Sequence, residues 1–361
     1  MKNANIVLNK IYRLRSSVAL VYHNGIMEFF KTNIRESIKL KTSNLINLLS
    51  SFDGNTPVYQ IINSNQFDRN GIINLIEFLN DKFILIEEDI KYPKVLIKEK
   101  YRLINFLEDF CQKTSEVLNK ITKLKEKTVL IVGLGGVGSF IVDLLARNGV
   151  CNFILIDDDT VDLHNLHRQN LYFQCDVGKL KIDCISNQLL LIDKNIKVTK
   201  IYQKINEDFF NNFSLKCDLM INCADYPNVD ITTEIIGKYG MKHKIPHIIG
   251  GGYNLHLTLI GQTVVPYKSA CHRCFQIELD KINKPYVANL KKLNRKDRKI
   301  GSFTPLCSLS ASLASMDAFK ILCGLEDFLT NVSNRIEFNL RDMDFSRIKI
   351  PKCIDCEVCG G

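Results

Sequence analysis

Between Gly133 and Asp225 lie the residue types needed to handle a phosphorylated nucleotide. Gly133, Gly135 and Gly138 stand in G-x-G-x-x-G spacing, after an apolar run at 129–132 and before a helical pattern over 139–148. Glycines there let the backbone turn tightly and approach a phosphate, and a helix N-terminus beside them attracts anionic charge. A second apolar run, 153–156, ends in Asp157, about twenty residues past the last glycine, where a carboxylate can hold ribose hydroxyls. Arg168 and Lys181 follow, and Asp225 comes just after a further apolar run. Such cations suit a triphosphate whose charge moves onto a leaving pyrophosphate, and a carboxylate at a strand end can hold Mg2+. The set fits nucleotidyl transfer; hydride transfer would leave Arg168 and Lys181 without a role.

A second group of residues suits a metal. Cys271 and Cys274 form one C-x-x-C pair, and the tail carries Cys353, Cys356 and Cys359. Two such pairs far apart in sequence can place four thiolates around a structural Zn2+ with no open coordination position. Cys356 and Cys359 are the favoured tail ligands because Gly360 supplies a turn directly after them; Cys353 is the alternative.

Holding these groups together takes alternating strands and helices. Beyond 157, apolar periodicity predicts a helix to about 192, strands at 197–202 and 217–222, and a helix to about 242. Strand-like runs at 245–252 and 257–265, a helix at 308–322 and a final strand at 336–340 complete the pattern. Such alternation implies a mainly parallel sheet with crossover helices, and ligands sit at the carboxyl ends of its strands. The expected fold class is therefore α/β, with a Rossmann-like domain over 128–361. A Lys- and Arg-rich stretch at 280–299 interrupts the pattern, as a loop crossing near the site or a solvated surface loop.

The first 90 residues read as a separate α+β unit, joined by a charged connector helix at 91–127. Strands are expected at 6–14 and 17–30, with a turn at His23-Asn24-Gly25, then helices at 34–49 and 71–80 and a strand at 83–86. No titratable cluster or metal spacing stands out. Its short strands and helices suit a winged-helix-like binding module, or else a structural cap. The 361 residues carry a net charge of +9, with basic groups spread along the chain, which argues against a nucleic-acid partner. No apolar run approaches the roughly 20 residues of a membrane span. Without an export signal, the 13 cysteines argue against a disulfide framework and for a cytoplasmic protein.

Taken jointly, the motifs resemble the ubiquitin-E1-like adenylating superfamily, which includes the thiamine and molybdopterin adenylyltransferases. The matching pieces are GLGGVG at 133–138, with Gly136 inside it, and Asp157-x-Asp159. Asn165-Leu166-x-Arg168-Gln169, Asp176-Val177-Gly178 with Lys181, Ala224-Asp225 and the paired C-x-x-C motifs also match. The resemblance covers about 128–361. It implies that ATP and Mg2+ activate a carboxylate as an acyl adenylate, beside a structural zinc. Asp225 would be the Mg2+-linked acid, Arg168 and Lys181 the phosphate contacts and Asp157 the ribose ligand.

A module ahead of the adenylating domain looks like the subgroup that modifies ribosomally made precursor peptides, of microcin-C or pantocin type. In that subgroup a winged-helix-like element grips a leader peptide, and homodimers let a partner's arginine reach ATP; Arg102 is the candidate. Sulfur-transferring members often carry a cysteine in the crossing loop, whereas residues 280–303 contain none. Direct attack on the adenylate by a group of the peptide is therefore expected rather than a thioester. Activation of a small sulfur-carrier protein's C-terminus, a catalytically inactive leader-binding scaffold and a dehydrogenase are the competing readings.

Overall fold

The computed structural model describes residues 7–41, 45–64, 68–254, 257–282 and 301–360. The chain divides into two compact units, residues 1–122 and 123–361. In the first unit, β1 (Ile11–Leu14) lies between β5 (Asp53–Pro57) and β6 (Leu85–Glu87), antiparallel to both. A hairpin sheet joins β2 (Val18–His23), β3 (Ile26–Lys31) and β4 (Glu36–Lys41). Asn24 and Gly25 both have positive φ at its first turn, as a tight hairpin of this hand requires. Helices α1 (Leu45–Ser50), α2 (Val58–Ser64) and α3 (Arg69–Asp81) close a core that includes Phe29, Leu48, Ile61, Ile76 and Leu79. Helices α4 (Lys94–Glu108) and α5 (Thr114–Glu126) follow.

Expectations for this unit change at three points, the first being that the single connector helix expected at 91–127 is two helices, α4 and α5. The helix expected at 34–49 is a strand followed by a short helix. Ile38 and Leu40 alternate toward the core while β4 completes its ladder with β3, and a period of two therefore outcompetes the helical spacing of Ile34 and Ile38. A titratable cluster also exists. Arg15, only 2% exposed, donates Nε to Leu85 O at 2.9 Å, Nη2 to Cys111 O at 2.7 Å and Nη1 to Glu108 O. Burial lowers its pKa to about 10, against opposing attraction from Glu108 and Asp109. Arg13 bridges Glu88 and Glu108, and Tyr92 Oη donates to Glu108 at 3.0 Å. The partners of the two arginines, 70 to 96 residues away in sequence, leave no local signature.

The second unit is built on a six-stranded sheet in the order β14-β11-β10-β7-β8-β9. Its strands are β7 (Thr128–Val132), β8 (Asn152–Ile156), β9 (Lys197–Ile201), β10 (Leu219–Asn222), β11 (His247–Ile249) and β14 (Gln262–Val264). All neighbours run parallel except β14, which pairs antiparallel with β11. Helices α6 (Gly138–Asn148), α7 (Lys181–Ile192), α8 (Phe209–Asn212) and α9 (Val229–His243) make the connections between parallel strands. Helix α10 (His272–Ile282) starts within the first cysteine pair. The fold class is thus mixed α/β with a mainly parallel central sheet.

A four-stranded antiparallel sheet, β12-β13-β15-β16, adjoins it in sequence: β12 (Tyr253–Asn254), β13 (Leu257–Ile260), β15 (Asn334–Asn339) and β16 (Asp344–Lys349). The run at 257–265 is therefore two strands in two sheets. Gly261 lies between them, and a Cβ there would meet Ile249 O at 2.2 Å, so only glycine passes. Strand β16 went unforeseen because all six of its residues are exposed and show no apolar alternation. Helix α11 (Thr304–Leu322) opens with Pro305 in its first turn, earlier than expected, and packs small buried residues such as Ala311, Ala314 and Ala318 against α6 and β13. Most of the 280–299 stretch lies outside the described residues. Among the described residues, no helix is long and apolar enough to cross a membrane.

Candidate nucleotide site and cysteine cluster

The carboxyl ends of β7, β8 and β10 are stitched together by their own backbones. Gly133 N donates to Ile156 O at 2.9 Å, and Cys223 N donates to Val132 O at 2.7 Å. Gly133 has φ +84°, and a Cβ on it would lie 2.7 Å from Ala224 N, which places the glycine turn directly against the peptide that leads to Asp225. Gly138 is equally constrained, since its Cβ would fall 1.9 Å from Gly133 O. Helix α6 then begins with neither a side-chain cap nor an acid in its first turn; Ser139 N donates to Gly135 O at 3.1 Å, and no side chain of the cap competes with an anion at this helix start.

Asp157 braces this turn from the end of β8. Its Oδ2 accepts from Leu134 N at 2.6 Å and its Oδ1 from Asp159 N at 2.9 Å. Burial raises the Asp157 pKa above the ordinary 3.8, with the Leu134 N–H and the Lys181 charge pulling the other way. Lys181, only 5% exposed, places Nζ 2.9 Å from Asp159 Oδ2. The loop from 157 to 180 holds it there: Gly178, at φ +86°, donates to Val161 O, and Lys181 N donates to Asp159 O at 3.0 Å. Asp176 steadies the same turn by accepting from Phe173 N and pairing with Lys179 at 3.1 Å.

Gln169 is buried, and its Oε1 has no hydrogen-bond partner among the described residues. Its Nε2 lies 3.8 Å from where a Gly135 Cβ would be, so the spare acceptor belongs to the glycine turn and suits a ligand hydroxyl or N–H. Asn165, by contrast, is committed locally, with Oδ1 accepting from Asp162 N at 3.0 Å. Arg168 donates Nη1 to His164 O at 2.7 Å, within its own turn. Asp225 is exposed past the end of β10. Arg102 lies in the other unit, exposed on α4 with its guanidinium 5.3 Å from the Tyr101 ring centroid.

The cysteines converge elsewhere in the second unit. The sulfurs of Cys271, Cys274, Cys356 and Cys359 all lie within 4.8 Å of one another and are buried. Separations are 3.8 Å for Cys271–Cys274 and 3.6 Å for both Cys271–Cys356 and Cys274–Cys359. A tetrahedral Zn2+ with about 2.3 Å bonds sets sulfurs about 3.8 Å apart, so the quartet fits that ion. Cys353 stays outside the quartet and donates its backbone N–H to Cys274 Sγ at 3.3 Å. Gly360, at φ +62°, turns back to donate to Cys356 O, which is the tight knuckle that a glycine permits.

With this geometry in place, the similarity to known proteins can be read. Residues 103–358 match the ThiF family. The chain belongs to the ThiF family. It is 30% identical over 242 residues to the molybdopterin-synthase adenylyltransferase of Escherichia coli (strain K12), covering 66% of this chain and 88% of that protein. Identity to the sulfur carrier protein ThiS adenylyltransferase of the same strain is 26% over 239 residues, with the same coverage. Among solved structures, E. coli MccB with ATP superposes at TM-score 0.76 and 22% identity, over 97% of this chain and 99% of that one. At that identity the likeness concerns the fold.

Several residues around this candidate site carried little sequence signal. Tyr172 is buried and donates Oη to Leu134 O at 2.7 Å, tying the 157–180 loop to the glycine turn. Ser139 Oγ accepts from Asn170 N at 3.0 Å and donates to Gly135 O. Gly250 packs against the end of β10, where a Cβ would meet Asn222 O at 2.5 Å. The GGG run at 250–252 was the available hint.

Proposed function

We propose that this ThiF-family protein is an ATP-dependent adenylyltransferase that activates a carboxyl or carboxamide group of a ribosomally made peptide. The observation that carries the reading is the extent of the structural match. The MccB fold spans 97% of this chain, first unit included, and one MccB crystal holds AMPCPP with MccA. The molybdopterin-synthase relative covers only 66%. A unit of about 120 residues ahead of the nucleotide site has a use if the substrate is a chain that must be gripped along its length.

In this reading ATP lies with its phosphates over the Gly133–Gly138 turn and its ribose on Asp157. Lys181 and Arg168 balance the phosphate charge. The substrate oxygen attacks the α-phosphorus, the bond to the β-phosphate oxygen breaks, and pyrophosphate leaves. A nucleophile of the peptide itself then takes the activated carbon with loss of AMP, or the nucleotide is retained as a conjugate. Asp225, exposed at the strand end, would hold Mg2+, whose chemistry is to neutralise the leaving phosphates. The cysteine quartet would hold Zn2+ structurally. The same reading makes the protein a cytoplasmic homodimer, with the first unit as the winged-helix-like leader-binding element and Arg102 reaching the partner's nucleotide.

The 30% identity to the molybdopterin-synthase adenylyltransferase favours a second reading, activation of a small sulfur-carrier protein's C-terminus. A pyrophosphate-release assay separates the two. A ribosomally made peptide, sought among short reading frames beside this gene, should stimulate release, and a Gly-Gly-ended carrier protein should not. Stimulation by the carrier alone would replace the first reading with the second.

A further inference from the structure

Beyond the carboxyl ends of β9 and β10, two exposed side chains meet. The Lys204 ammonium lies 4.4 Å from the centroid of the Tyr226 ring. In the sheet, β10 and β9 are separated by β7 and β8. At about 4.8 Å per strand, that is a span of about 14 Å. The contact therefore arches over the strand ends that carry the glycine turn and Asp157. Tyr226 directly follows Asp225, and Lys204 also lies 3.8 Å from Asp158, next to Asp157. Tyr226 is 62% exposed, so packing within the chain does not account for its position.

The order of the strands says where each part of a nucleotide goes. Phosphates belong to the end of β7 and ribose to the end of β8, so the base points on toward β9. Lys204 comes from the end of that strand and meets Tyr226 there. We propose that Tyr226 forms the outer wall of the nucleobase subsite, stacking on the purine in place of Lys204, which falls back on Asp158. An aromatic face accepts either a cation or a flat π-system, and the purine exchanges one for the other. Tyr226 is then a specificity residue for nucleobase over bare polyphosphate. The inference rests on the ATP site of the preceding reading.

The test is calorimetric titration of the full chain with ATP and, separately, with inorganic tripolyphosphate, which lacks the base. Tyr226→Ala should weaken ATP binding by about tenfold, the scale of one lost base–aromatic stack, and leave tripolyphosphate within about twofold. Tyr226→Phe, which keeps the ring, should restore ATP binding. Lys204→Ala should leave tripolyphosphate binding unchanged. Equal weakening of both ligands by Tyr226→Ala, or no weakening of ATP, would overturn the proposal. So would loss of tripolyphosphate affinity in Lys204→Ala, which would assign the lysine to phosphate. A wild-type chain that binds no ATP would sink the adenylation reading itself, whereas ATP binding indifferent to Tyr226 sinks only this inference.

Discussion

Gly138 admits no side chain, because the atom a Cβ would strike is the carbonyl of Gly133, held by the turn it belongs to. Gly138→Ala must therefore shift the turn itself, at a cost on the order of 1–3 kcal/mol. A lowered melting temperature and weakened ATP binding by calorimetry are expected together; an unchanged affinity would mean that the turn does not hold phosphate. Asp157 supplies a pH dependence. Burial raises its folded pKa above 3.8, so the folded protein takes up a proton at higher pH than the unfolded chain does. Above the folded pKa the buried charge costs stability, and the cost is relieved as pH falls through that value. Binding runs the opposite way, because a protonated carboxyl offers fewer acceptors to ribose hydroxyls. ATP affinity should fall with pH through a midpoint above 3.8, and Asp157→Asn should flatten that limb of the titration. Residues such as Gly133, Asp157 and Lys181 were legible because a backbone turn or a buried charge demands a particular residue type. Tyr172 and Arg15 were not, since their carbonyl partners lie 38 to 96 residues away in sequence and only the fold brings them near; Ser139 was not, since any residue type supplies the carbonyl it meets.

Elements were legible where burial imposes a period. Strands β7, β8 and β10 are nearly continuous apolar runs because both faces of a parallel sheet are covered. Strand β16 has no buried face and left no pattern. Strand β4 was misread because Ile34 and Ile38 satisfy a helical spacing as well, and only pairing with β3 decides between them. The cysteine knuckles form an element whose prediction separates a ligand thiol from the spare one. Cys356→Ser should lose bound zinc, measured by metal analysis of the purified protein, and lower the melting temperature. Cys353→Ser should retain one zinc per chain. Metal lost from the Cys353 variant and kept in the Cys356 variant would reverse the assignment made by the sulfur positions.

In the whole molecule, the ThiF-family match runs from residue 103 through nearly all of the second unit, and the residues ahead of it distinguish this chain from its shorter relatives. Sequence motifs pointed to a nucleotide because phosphate binding is local; a peptide substrate would write no comparable motif, since a sheet edge or groove can be lined by many residue types. The proposed task of the Gly133 turn and Asp225 is adenylyl transfer to a bound peptide. The most direct measurement is pyrophosphate release by the wild-type chain and by Asp225→Ala, each with ATP and the neighbouring-gene peptide, alongside binding of both ligands. Peptide-dependent release is expected from the wild type, with a loss of at least about 100-fold in the variant and peptide affinity kept. Peptide binding without any pyrophosphate release from the wild type, or equal release from Asp225→Ala, would contradict it.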